Sequence, residues 1–209
     1  MAIADAHPLP SSKHRMEALA DGVFAIVMTL LVLELKVPDL PRSASNSEIW
    51  AAVRSEGPVF FSFLITFILS GAFWHLHQTL LSALKVVRGG VLVLNIAFLM
   101  FVSLLPFSTA MLGHFLRRSF AQEIYFANQM VLGLLLVLQL WVARRSDMVA
   151  EPNSSSTQEL SWRLLIFPIG AAIAMIVSPL QANLSFYGFL VAALFVRIMR
   201  KRTQRKSRH

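Results

Sequence analysis

The composition of this 209-residue chain excludes an ordinary soluble domain. Hydrophobic residues make up 56% of it, charged residues only 14%, and the net charge is +8. Soluble domains carry about 25% charged residues. The apolar residues are also gathered into long runs, so the sequence predicts an all-α polytopic membrane protein. Cysteine is absent, which excludes disulfides and thiolate metal sites.

Six hydrophobic segments of membrane-spanning length follow one another along the chain. We expect the first four at residues 16–35, 58–81, 90–112 and 122–143. A polar loop is expected over residues 146–160. The chain therefore divides into an N-terminal arm (1–15), a six-helix membrane domain (16–199) and a basic tail (200–209).

The stretch from Leu164 to Val196 carries no charge. As one helix it would be about 50 Å long, which exceeds a hydrocarbon core of about 30 Å. Ser178-Pro179 interrupts it, so we expect two spans, 164–179 and 184–199, joined by a tight turn.

Lysine and arginine are distributed unequally between the two ends of these spans. With six spans and both termini inside, 14 of the 19 basic residues lie on the inner side and five on the outer side. The positive-inside rule then predicts a multi-pass protein of the cell membrane with both termini in the cytoplasm. The basic tail is expected to contact anionic lipid, and no nucleic-acid partner is expected.

The first segment combines ionisable groups with an apolar stripe. Arg15 and Asp21 stand near its beginning, and charged groups at membrane depth usually face a protein interior or a water path. Ile26, Leu30 and Leu33 follow at helical spacing and share one face. Such a stripe beside ionisable groups is typical of the wall of a narrow pore.

The residues of this segment resemble the first-helix signature of the transmembrane protein 175 family, a family of potassium-permeable channels. That signature is Arg, three residues, then Phe-Ser-Asp. Here Arg15 and Asp21 match, while Leu19 and Ala20 stand in place of Phe and Ser. The resemblance continues within the first segment at Ala25-Ile26 and Thr29-Leu30-Leu31. It extends into the second and third segments at Trp74-x-x-His77, Asn95 and Leu104-Leu105-Pro106-Phe107.

The resemblance implies a prokaryotic type of channel, with one six-helix unit per chain and a homotetramer in the membrane lipid. The first helices would line a central pore, with hydrophobic rings as its constriction. Mapped by position from Asp21, those rings fall on Ile26, Leu30 and Leu33. The expected permeant ion is potassium, and no cofactor is implied.

Polar residues on three segments are candidates for a structural network. We expect Arg15 and Asp21 to join Trp74, His77 and Asn95, because the indole, imidazole and amide can donate to the carboxylate. The alternative is that Arg15 reaches the inner interface and Asp21 only caps a helical turn.

Thr29 is a candidate pore-lining polar residue, although its hydroxyl could instead bond to its own backbone. His75 and His77 point apart on a helix, so no metal site is expected. No catalytic constellation is present, and we do not expect an enzyme. The alternative to a channel is a small secondary transporter or proton-coupled carrier that uses Asp21 and His77 as a relay.

Overall fold

The computed structural model describes the backbone of residues 12–206 and the side chains of residues 13–199. Within that part the chain is helical and forms no named β-strand. Six helical stretches are long and apolar enough to cross a membrane, namely Lys13–Glu34, Gly57–Ser82, Gly90–His114, Ser119–Arg145, Ser155–Val177 and Ala182–Met199. The six-span, all-α architecture predicted from the sequence is confirmed.

The helices are numbered in chain order. The first half contains α1 (Ser12–Leu30) with a 3-10 extension (Leu31–Glu34), α2 (Asn46–Ser55), α3 (Gly57–Ser82), α4 (Gly90–Ser103) and α5 (Leu105–His114). The second half contains α6 (Ser119–Arg145), α7 (Ser155–Leu164), α8 (Ile166–Val177), a 3-10 segment (Ala182–Tyr187) and α9 (Gly188–Lys206).

Two spans are broken in the middle by proline. Pro106 has no N–H for the carbonyl of Val102, and span three divides at Leu104 into α4 and α5. Pro168 has the same effect on the carbonyl of Leu164, and span five divides at Leu165.

The fifth span begins earlier than the sequence suggested. The predicted polar loop of residues 146–160 ends at Ser154, and helix α7 occupies its last part. The Ser154 hydroxyl accepts the backbone N–H of Thr157 at 3.2 Å, which satisfies a free donor at the helix start. Serine and threonine at this position therefore start a helix rather than continue a loop. The N-terminal boundary also shifts, since α1 begins at Ser12.

The short helix α2 lies on the surface between spans one and two and buries no residue. A capping box begins it, because the Ser45 hydroxyl accepts from the Glu48 N–H and the Glu48 carboxylate accepts from the Ser45 N–H. Hydrogen bonds from the backbone and hydroxyl of Ser45 lower the pKa of Glu48. This helix is thus fixed at its start although it contributes nothing to the core.

Three chain segments meet at one end of the bundle. Lys13 Nζ donates to the carbonyl of Leu84 at 2.7 Å, which joins the start of α1 to the loop after α3. That loop pairs with the loop after α6, through Lys85 N–H to Met148 O at 2.8 Å and a Lys85–Asp147 ion pair at 2.9 Å. The start of span one, the end of span two and the end of span four therefore share a side, as alternating spans require.

At the opposite end, Gln122 of α6 holds the turn between spans five and six. Its Oε1 accepts from the hydroxyls of Ser178 and Ser185 at 2.8 and 2.9 Å. Its amide donates to the carbonyls of Leu116 and Ala182. Both hydroxyls and the amide are buried, so this cluster satisfies the polar groups of a turn that would otherwise meet lipid.

Helices α6 and α8 cross very closely at Gly133. A Cβ added to Gly133 would lie 2.6 Å from Pro168 Cδ and 2.9 Å from the Pro168 nitrogen. The second contact is with backbone, which cannot rotate away. Gly133 is therefore required by the helix crossing.

We predict that Gly133→Ala lowers the free energy of unfolding by about 1–3 kcal/mol through overpacking. Thermal unfolding of the purified protein measures this. Gly71→Ala is the matched control, since a Cβ there meets nothing within 4 Å and alanine favours the helix. Equal melting temperatures for the two variants would show that the crossing is looser than described.

Candidate functional site, the first helix and its polar contacts

One face of helix α1 is buried against the rest of the subunit, and another face is exposed on the surface of the subunit. The buried face consists of Met16, Ala20, Phe24, Val27 and Leu31. The other face carries the predicted stripe, where Ile26, Leu30 and Leu33 are 61%, 42% and 66% exposed. In a single chain this stripe contacts no core, so it is available to line a pore, to pack on another copy or to face lipid.

The end of α1 changes its geometry where the stripe continues. Residues Leu31–Glu34 form a 3-10 helix, in which residues three apart lie directly above one another. Leu33 is therefore kept in line with Leu30. With rises of about 1.5 Å per residue in the α-helix and about 2.0 Å in the 3-10 helix, the three stripe residues are spaced about 6 Å apart.

Thr29 lies on the exposed side of α1, next to the stripe. Its hydroxyl donates to the carbonyl of Ile26 at 2.7 Å, three residues back. The hydroxyl proton is thus used within the helix, as one of the two readings of the sequence anticipated. The oxygen keeps its lone pairs, and because Thr29 is exposed they can accept a hydrogen bond or contact a cation.

Asp21 binds helix α3 through two side chains. Its Oδ1 accepts the indole Nε1–H of Trp74 at 2.8 Å and also the amide of Gln78. Gln78 was not among the residues singled out in the sequence. The signal for it was available, because Gln78 lies four residues after Trp74 and so shares its helix face.

His77 and Asn95 form a second, separate pair. His77 Nε2 lies 2.6 Å from Asn95 Oδ1, so the ring nitrogen donates and the amide oxygen accepts. Both residues are fully buried, and Phe98 stacks on the imidazole with ring centroids 5.1 Å apart. Phe24 of α1 closes another side of the ring. This pair therefore joins α3 to α4 inside the subunit, behind the buried face of α1.

The structure thus brings together four of the five predicted network residues, but in two clusters. Asp21 contacts Trp74, and His77 contacts Asn95. Arg15 is exposed, and its side chain forms no hydrogen bond or ion pair within residues 13–199. The nearest charged contacts at this end of α1 are those of Glu17, with Lys13 at 4.0 Å and His14 at 3.8 Å.

Metal-binding side chains do not gather anywhere in the part of the chain that the structure describes. No group of three or more histidine, aspartate or glutamate side chains is suitably placed there. The polar groups of the site are instead the hydrogen-bonded pairs described above.

Comparisons with known proteins find a channel family and potassium channels of bacteria. The family model described as "Endosomal/lysosomal potassium channel TMEM175" matches residues 15–106. A potassium channel of Streptomyces collinus is 28% identical over 186 residues, which is 84% of this chain and 88% of that one. A potassium channel of Chryseobacterium sp. is 37% identical over 102 residues, and the match spans 49% of this chain and 50% of that one.

A solved structure shares the whole fold. The crystal structure of a lysosomal potassium-selective channel TMEM175 homolog from Chamaesiphon minutus superposes with a TM-score of 0.73. The match covers 90% of this chain and 97% of that one, at 24% sequence identity.

Fold and site together define a multi-pass helical membrane protein whose first helix has an exposed apolar face. Residues 15–106, which hold most of α1, then α2, α3, α4 and the start of α5, are similar to the endosomal/lysosomal potassium channel TMEM175 family. This is a family of channels, which confirms the expectation that the protein is not an enzyme.

We predict that Asp21→Ala destabilises the protein, because it leaves the Trp74 indole and the Gln78 amide without their acceptor. The expected loss is about 1–2 kcal/mol for a charged hydrogen-bond acceptor that is partly open to solvent. Thermal unfolding and the yield of assembled protein measure it. Asp21→Asn, which keeps Oδ1, should retain most of the stability. A stable Asp21→Ala assembly with altered ion affinity alone would instead identify Asp21 as an ion ligand.

We also predict that Asn95→Ala lowers the unfolding free energy by about 1–3 kcal/mol, because His77 is left with an unpaired buried N–H. The double variant His77→Phe/Asn95→Leu should recover much of this loss, since both polar partners become apolar. Melting temperatures decide this point. If the double variant were as unstable as Asn95→Ala, the pair would have a role that packing does not replace.

Proposed function

We propose that this protein is a potassium-permeable channel in which four copies of α1 surround one pore. The observation that carries the proposal is the outward-facing stripe of Ile26, Leu30 and Leu33 on the helix that the family model covers. Both bacterial relatives are named potassium channels. The whole-fold likeness to the Chamaesiphon minutus homolog supports the same arrangement of spans.

The stripe would form the constriction of this pore. Three apolar rings spaced about 6 Å apart would give a dry segment about 12 Å long. Hydrophobic constrictions of this kind open by wetting. The potassium-channel filter sequence Thr-Val-Gly-Tyr-Gly does not occur in the chain. Selectivity would therefore depend on the width and wetting of the rings, with Thr29 oxygens as polar groups between them.

The polar pairs would fix the orientation of the pore helix rather than bind ions. Asp21 attaches α1 to α3, and the His77–Asn95 pair fixes α3 against α4 just behind α1. We assign Arg15 to the inner mouth, where a neighbouring copy or lipid headgroups would meet its charge.

We further propose that both termini are cytoplasmic. The end of the bundle where the start of α1 meets the loops after α3 and α6 carries most of the basic residues. This is the side that the positive-inside rule places in the cytoplasm. The basic tail of residues 200–209, whose side chains lie outside the described residues, would meet anionic lipid there.

The structure does not favour a transporter that uses Asp21 and His77 as a proton relay. The two side chains share no hydrogen bond, and each has its own partners. His77 is fully buried and stacks on Phe98, and its hydrogen bond is to Asn95 rather than to Asp21.

Replacing Ile26 with Asn tests the constriction, because a ring of amides stays wet. We expect Ile26→Asn to raise the unitary conductance several-fold and to weaken the preference for K⁺ over Na⁺. Ile26→Leu keeps the ring apolar and is the matched control, with currents like those of the natural protein. Bilayer recordings of equally assembled variants measure both. Unchanged currents in Ile26→Asn would place the constriction elsewhere.

A further inference from the structure

An apolar groove opens between α6 and α7 at the end of the bundle that carries most of the basic residues. It encloses about 190 Å³. Its walls are mainly the apolar side chains of Val137, Leu140, Leu164 and Leu165, and Ser161 and Arg144 stand at its polar edge. The principal neighbours of α1 are α3 and α4, not α6 or α7, so the groove lies away from the proposed pore.

Two guanidinium groups next to this groove have no acidic partner. Arg144 donates to the Ser161 hydroxyl at 2.9 Å and to the Thr157 carbonyl at 3.3 Å, and both acceptors are neutral. The guanidinium of Arg145 lies 4.7 Å above the ring of Trp141. Neither arginine forms a salt bridge within residues 13–199.

Two other basic residues at this end are paired with carboxylates. Lys85 is paired with Asp147 at 2.9 Å, and Arg163 is paired with Glu159 at 2.7 Å. Arg144 and Arg145 are thus two adjacent guanidinium groups without a salt bridge at the edge of this groove, whereas Arg15, which also lacks a salt bridge within residues 13–199, lies on α1. Trp141, half exposed beside them, is the kind of aromatic residue found at the level of lipid headgroups.

We propose that this groove is a binding site for an anionic phospholipid. One acyl chain lies along the groove, and the phosphodiester accepts hydrogen bonds from Arg144 and Arg145. The charges are complementary, since two guanidinium groups without an acidic partner stand at the polar edge of an apolar groove. Basic pockets between spans on the cytoplasmic side are suited to acidic headgroups, and arginine matches phosphate geometry. This site is separate from the basic tail.

Trp141 provides a local measurement of occupancy. The full-length protein is reconstituted in phosphatidylcholine vesicles that contain either brominated phosphatidylglycerol or brominated phosphatidylcholine. The quenching due to Trp141 is the difference between each protein and its Trp141→Phe counterpart. We expect phosphatidylglycerol to quench Trp141 at a roughly tenfold lower mole fraction than phosphatidylcholine.

Arg144→Gln/Arg145→Gln should abolish this preference. Arg145→Gln alone should reduce it. Because the Arg145 side chain forms no hydrogen bond within residues 13–199, that variant leaves the structural contacts of Arg144 intact. Arg117→Gln/Arg118→Gln, with the same charge change at the opposite end, should retain it. Equal quenching by both lipids in the natural protein would overturn the proposal. So would quenching by neither lipid, or equal loss in the control variant.

Discussion

The rotation of α1 about its own axis is the constraint on which the rest of the account depends. A membrane helix gains little from turning one apolar side rather than another toward its neighbours, because lipid is as apolar as leucine. Asp21 removes this freedom. Its carboxylate is held by Trp74 and Gln78 of α3, and Ile26 lies about 140° further round the helix at about 100° per residue.

The buried face of α1 follows from the same rotation. Phe24 is fully buried and contacts the rings of His77 and Phe98. The hydrogen bond to Asn95 fixes the orientation of the His77 ring. The two polar clusters therefore act on neighbouring parts of one helix, because Asp21 and Phe24 are three residues apart and so separated by about 60° around the axis. The Asp21 cluster attaches the N-terminal half of α1 to α3. The His77–Asn95 pair lies behind the surface against which Phe24 packs. The outward stripe results from both.

The number of spans could be predicted from the sequence, because each long apolar run is of the length and composition that a membrane helix requires. The sequence was less accurate at helix starts, where a single side chain decides the boundary. Ser154 begins α7 inside a segment that reads as a loop. That Ile26, Leu30 and Leu33 share one helix face could also be predicted, since it depends only on spacing along one helix.

Contacts between helices could be predicted from the sequence only in part. The sequence predicted one network, whereas the structure has two separate pairs, Asp21–Trp74 and His77–Asn95. Spacing on each helix does not determine the rotation of α3 against α1, so the division into pairs could not be predicted. Gln78 was missed for the same reason, although it shares a face with Trp74. The role of Arg15, exposed in a single chain, depends on neighbours that no pattern within one chain describes.

The most direct measurement is single-channel recording of the purified natural protein in a planar bilayer under a potassium gradient. We expect discrete steps of unitary current, because a wetted pore conducts ions without a carrier cycle. These currents should reverse near the potassium equilibrium potential, because the proposed pore is permeable to potassium. Potassium flux without unitary steps, or flux strictly coupled to a proton gradient, would contradict the central claim that α1 lines a pore.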